Sequence, residues 1–196
     1  MKTKFKKYGG EKISDLITYI KNYINNNPTV TISVGCDSTK KRRGTIYATT
    51  IMFYDDVNNN GAHIIYKKEF INVKMDTFTR LYKESEFIYE MCEYIEEGLK
   101  NHKRNDITDY QIKKYKLHLE QHNGKYLNIS SEEERKILNN IQITDADKNI
   151  PYKKCDIHLD YNMESGDGKY KSYSVFKATI PWFKSCGYKV WCKPYS

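Results

Sequence analysis

The stretch VTISVGCDSTKKRRGTIYATTIMFY, Val30–Tyr54, decides the fold. Its first half alternates β-branched and small residues and reaches a carboxylate at Asp37, the pattern of a strand. Lys40, Lys41, Arg42 and Arg43 form a strongly basic turn closed by Gly44, and Thr45–Tyr54 reads as a second strand running back. An acid late in a buried strand, beside a basic hairpin tip, suggests a metal-dependent site for phosphate esters.

Working outward, the polar turn DDVNNNG at 55–61 leads to a third strand over Ala62–Val73, so the first three strands form an antiparallel meander. Upstream, residues 1–10 read as a basic tail. Ser14 is placed to cap a helix over 15–26, whose Leu16, Ile17, Ile20, Tyr23 and Ile24 share one face. Downstream the period becomes helical over Thr77–Leu99, with Leu81, Ile88, Met91, Cys92, Ile95 and Leu99 forming an apolar stripe. Glu84 falls in the middle of that stripe, whereas Glu86 and Glu90 fall on solvated faces. A carboxylate centred on an apolar face costs desolvation unless something pairs with it. Glu84 either pairs with Arg80 or Lys83 or faces a site.

Residues 101–153 are polar and irregular, with short helices expected near 109–120 and from Ser131, where Ser131 and Glu134 have capping-box spacing. They read as an insertion or long connection within a single domain spanning 1–196. Asp145-x-Asp147-x-Asn149 resembles the opening of a calcium loop, but Ile150 stands where glycine is required and Pro151 follows, which excludes it. Cys155–Tyr161 is a fourth strand, with Ile157 and Leu159 on one side and Asp156, His158 and Asp160 on the other. A glycine-containing loop, Met163–Gly168, precedes a helix over 171–185 in which Pro181 predicts a kink or early break. Tyr188–Lys193 is the last strand.

The order is β-β-β-α-β-α-β after a leading helix, an α/β pattern in which three antiparallel strands are followed by strands added through helical crossovers. If the first and fourth strands are parallel neighbours, Asp37 and Asp160 meet at the edge where open α/β sheets place ligands, and Glu84 reaches the same point. Three hard oxygen ligands suit Mg²⁺ or Mn²⁺. Each acid also has a plainer reading. Asp37-Ser38-Thr39 can open a turn, Glu84 can pair on its own helix, and Asp160 can make a strand-end Asx turn. His158 reads as a structural histidine. The Lys40–Arg43 tip is a solvated hairpin end unless it touches a nucleic-acid backbone.

Composition bounds these readings. With 33 Lys and Arg against 25 Asp and Glu, the net charge of +8 favours polyanionic partners such as RNA or DNA. Mean hydropathy of -0.80 and the lack of any long apolar run argue against a membrane span. Eighteen tyrosines argue against disorder. The five cysteines have no C-x-x-C pair, so neither a disulfide framework nor a zinc ribbon is indicated, and a reducing, cytoplasmic setting is expected.

The segments SVGCDST (33–39), LYKESEFIYEMCEYI (81–95), DIHLDYN (156–162), KYKSYSVFK (169–177) and CGYKVWCKP (186–194) together resemble the YkuK-type, ribonuclease H-like proteins, a group of predicted nucleases. The resemblance implies a ribonuclease H-like α/β fold, a five-stranded mixed sheet flanked by helices. It also implies that Asp37, Glu84 and Asp160 correspond to the first three metal-binding acids of that superfamily, serving as both catalytic and metal residues. Members of the group follow the Lys-Pro pair with an acid and a helix that carries further acids. Here Lys193-Pro194 is followed by Tyr195 and Ser196, so the fourth carboxylate is missing, and Asp167 is a speculative substitute. The expectation is therefore a Mg²⁺- or Mn²⁺-dependent nuclease. The alternative is an inactive relative that binds nucleic acid or a protein, with 101–153 as a partner or self-association surface.

Overall fold

The computed structural model describes residues 4–27, 30–55, 62–100, 102, 109–122, 125, 129–144, 154–162 and 172–193. Along the chain they form β1 (Lys6–Lys7), α1 (Leu16–Asn26), β2 (Thr31–Lys41), β3 (Gly44–Tyr54), β4 (Ala62–Ile71), α2 (Thr77–Leu99), α3 (Asp109–His122), α4 (Ser131–Asn140), β5 (Asp156–Asn162), α5 (Ser172–Ser185) and β6 (Lys189–Lys193). The sheet has six strands in the order β1-β4-β3-β2-β5-β6, not the expected five. The extra strand lies in the stretch read as a basic tail. Lys6 and Lys7 pair antiparallel with Tyr66 and Ile65, anchored by Phe5, which is wholly buried.

Strand β2 pairs antiparallel with β3 from Thr31↔Tyr54 to Lys41↔Gly44, and parallel with β5 at Ser33↔Asp156, Val34↔Ile157 and Gly35↔His158. Its even-numbered residues Ile32, Val34 and Cys36 are buried, as are Ile157, Leu159 and Tyr161 of β5. Strand alternation therefore assigns them to one face, where α1, α2 and α5 pack. Leu16, Ile20 and Ile24 bury the same face of α1, and Ile88, Met91, Cys92, Ile95 and Leu99 that of α2, as the periodicity predicts. Gly98 permits the α1–α2 contact, because a Cβ there would lie 2.4 Å from Ile17 Cδ1. Helices α3 and α4 pack on each other, burying Ile112, Leu117 and Leu138 apart from the main core.

Several local expectations shift by a residue or a turn. Asp15, not Ser14, caps α1, accepting from the Thr18 amide at 3.0 Å. The capping box of α4 is Ser130 with Glu133 instead of Ser131 with Glu134, since it is Ser130 that takes the extended backbone a cap needs. β4 ends at Ile71, short of Val73. Helix α5 passes through Pro181 without ending, so the early break does not occur. The calcium-like segment at 145–151 and the loop at 163–168 lie outside the described residues.

Gly44 is set by close approach. A Cβ there would sit 2.1 Å from the Ile71 carbonyl oxygen, a backbone atom that cannot swing aside. At Gly35 the nearest atoms would be Thr50 Oγ1 at 3.3 Å and the His158 oxygen at 3.4 Å, which small adjustments relieve. We predict that Gly44→Ala lowers unfolding free energy by about 2 kcal/mol or more and Gly35→Ala by under about 1 kcal/mol, measured by urea denaturation. Equal losses would contradict this packing.

Candidate metal and nucleic-acid site

The three acids arrive on separate elements. Asp37 does not end its strand or open a turn. It lies inside β2 opposite Ala48, and β2 continues to Lys41. What ends there is the pairing with β5, whose last rung is Gly35↔His158. Continued at the same offset, that register sets Asp37 opposite Asp160, two residues beyond the rung. Asp160 likewise lies within its strand, where the β5–β6 register shifts between Leu159 and Asn162. Such irregularities re-aim side chains and are common beside functional sites. Both carboxylates are exposed, on the face opposite Cys36 and Leu159. The Ser38 amide donates to Asp37 Oδ1 at 2.7 Å and fixes it from below.

Glu84 comes from the helix on the other face and is 2% exposed. The choice of partner left open by the sequence resolves to Arg80, whose Nη1 lies 3.2 Å from Glu84 Oε1, while Lys83 pairs with Glu86 at 2.8 Å. Ser38 links the strand to this pair. Its hydroxyl donates to Glu84 Oε1 and accepts from Arg80 Nη1, which also donates to the Ser38 carbonyl at 3.0 Å. Arg80 Nε is buried with no hydrogen-bond partner among the described residues. Tyr161 Oη donates to the Leu81 carbonyl at 2.5 Å and lies 2.9 Å from Ser85 Oγ, tying the end of β5 to the turn of α2 that carries Glu84. Tyr47 Oη donates to the Arg80 carbonyl at 3.3 Å. Ser38, Tyr47 and Tyr161 escaped the sequence reading because hydroxyls on alternating strands look like ordinary packing. The alternation that buries Tyr161 beside Leu159 was the available signal.

Burial pushes the Glu84 carboxyl up to about 7. The Ser38 hydroxyl and Arg80 oppose that rise, and the negative charges of Asp37 and Asp160 add to it. Arg80 therefore compensates Glu84 only in part, and the charges of Asp37 and Asp160 both reach Glu84. Among the described residues, however, no three His, Cys, Asp or Glu side chains stand close enough together to hold one ion. The donor set fits a hard divalent cation chemically, while Glu84 Oε1 is held by Arg80 and Ser38. Cys36, next to Asp37, is raised by burial to about 12 and is no nucleophile. His158 is lowered by burial, and its ring lies nearly parallel to that of Trp191. The Lys40–Arg43 tip is fully exposed at the β2–β3 turn, and Asp167 lies outside the described residues. A cleft of about 460 Å³ between α3 and α4, lined by Lys113, Lys114, Glu134 and Arg135 among others, contains none of the three acids.

A mixed sheet with acids flanking the place where its central parallel pairing stops defines an α/β protein with a candidate site beside that break in the ladder. A family model described as Ribonuclease H-like matches residues 13–196. The chain belongs to the ribonuclease H-like family, and this family suggests a nucleic-acid nuclease. No curated protein and no solved structure matches the chain. Among the described residues no helix is long and apolar enough to cross a membrane.

The raised Glu84 carboxyl has a pH signature. Its folded value lies above its unfolded one, so the unfolded chain loses the proton first as pH rises. Glu84's contribution to stability should be greatest below about 4.5, fall between about 4.5 and 7, and level off above, by at most on the order of 3 kcal/mol. Glu84→Gln should flatten that part of the profile in denaturant unfolding across pH. An unchanged slope would show that Glu84 is not desolvated as described.

Proposed function

We propose that the protein hydrolyses phosphodiester bonds of nucleic acid with Mg²⁺ or Mn²⁺, as a YkuK-type member of its family. Asp37 and Asp160 hold the metal, Glu84 completes the first site, and the Lys40–Arg43 tip takes up phosphate charge. What supports this reading is the β2–β5 register, whose last rung is Gly35↔His158 and which, continued at the same offset, would set Asp37 opposite Asp160, together with the charges of both acids acting on the buried Glu84. A divalent ion bound there supplies an activated water and stabilises the leaving oxygen. This chain's own contribution would be to fix Asp37 through the Ser38 amide and to present Glu84 from α2, beside Arg80.

The second reading, a module that binds nucleic acid or a partner without cleaving, draws on that same Arg80–Glu84 pair, which occupies one of the acids. Residues 101–153 would then serve as a partner surface or an insertion within the single domain.

Incubation with labelled single-stranded, duplex and hybrid substrates plus Mn²⁺ separates the two readings. Cleavage should require the metal and drop by at least about a hundredfold in Asp37→Asn, in line with losing electrostatic stabilisation of the transition state. No cleavage of any substrate, or cleavage unchanged in the variant, removes the enzyme reading.

A further inference from the structure

Among the described residues, the helices that pack on the sheet, α1, α2 and α5, all lie on the face that buries Val34 and Ile157. The opposite face carries Asp37 and Asp160, and its residues fall into rows that cross the strands. One row is given by the pairings Tyr66↔Thr50, Thr50↔Gly35, Gly35↔His158 and His158↔Trp191. At about 4.8 Å per strand it runs roughly 19 Å from Tyr66 to Trp191. Rings stand at its two ends, and Gly35, with no side chain, leaves a low point between them. All five residues are half-buried. The rings of His158 and Trp191 are nearly parallel, 6.1 Å apart and tilted by 26°. Trp191 Nε1 donates to Asp156 Oδ2 at 3.0 Å, which holds the indole in place.

Cations flank the same row. Beyond Tyr66 the pairing continues to Lys6, and from Lys6 to Lys12. Lys68 sits with its Nζ 5.7 Å from the Tyr66 ring centre, and Lys189 with its Nζ 4.1 Å from that of Trp191. Asp37 and Asp160 lie two residues along their strands from Gly35 and His158, on the order of 7 Å away on the same face.

We propose that this open sheet face binds single-stranded nucleic acid across the strands, with bases on the Tyr66 and His158–Trp191 rings. The backbone would be held by Lys6 and Lys12 at one end and Lys189 at the other. Sequence-tolerant single-strand sites combine ring platforms with flanking positive charge in this way, whereas a stiff duplex cannot lay its bases on rings. The path brings the phosphates past Asp37 and Asp160, so the inference deepens the nuclease reading by naming its substrate class and rests on that reading for its meaning.

Binding can be tested without cleavage. Trp182 and Trp191 are the two tryptophans of the chain, so Trp182→Phe leaves Trp191 as the reporter. In EDTA, titration with a short single-stranded oligo-U or oligo-dT should quench Trp191 emission, with the affinity also read by anisotropy of labelled strand. The double change Lys6→Glu, Lys12→Glu should weaken binding by about tenfold or more, and added salt should weaken it steeply. The matching duplex should compete poorly. Strand binding that leaves Trp191 emission and the double-charge variant unaffected overturns the proposal, as does no binding at all. So does a concentration-dependent Trp191 signal in the absence of oligonucleotide, which would show a second copy on this face. Cleavage with Mn²⁺ is scored separately. Quenching without cleavage keeps the platform and removes the nuclease, and cleavage without quenching does the reverse.

Discussion

Strand β2 is the constraint on which the rest depends. It bonds antiparallel to β3 along its length and parallel to β5 at three rungs, so it joins the meander to the crossover half of the sheet. Its buried face, Ile32, Val34 and Cys36, seats α2, and its other face presents Asp37. Because side chains alternate with period two, a one-residue slip would turn Asp37 into the core and Cys36 outward. The hydrophobic pattern that folds the strand thus also aims the acid.

A second consequence follows from where the parallel pairing stops. Past Gly35 and His158 the β2–β5 ladder is not continued, and Asp37 and Asp160 flank this gap in the pairing. Ser38 ties that gap to α2 through Arg80 and Glu84, and Tyr161 ties it again through Leu81 and Ser85. The arrangement leaves a buried carboxylate balanced against one guanidinium and two nearby negative charges. Replacing Arg80 by a divalent cation would change that balance more than any change in packing nearby.

Much of this was legible in the chain. Alternation in Val30–Asp37, the 3.6-residue stripe of Thr77–Leu99 and the apolar side of Asp156–Tyr161 came through because burial imposes those periods. Glu84 stood out for the same reason, as a charge in the wrong phase. Less legible were features that depend on partners far away in sequence. Lys6–Lys7 is too short and polar to signal a strand, and it pairs because β4 offers an edge and Phe5 an anchor. The extension of β2 past Asp37 to Lys41 rests on β3, since the basic run has no strand pattern of its own. The capture of Glu84 by Arg80 and Ser38 together needed the strand and helix in contact, which no local spacing encodes.

The account turns on whether Asp37, Glu84 and Asp160 converge on a cation. The most direct measurement is a crystal soaked in Mn²⁺, with anomalous density sought at the β2–β5 opening. The account predicts a peak in contact with carboxylate oxygens of all three residues, with the Arg80 guanidinium moved off Glu84. No peak there, with Arg80 and Ser38 still holding Glu84, would contradict it.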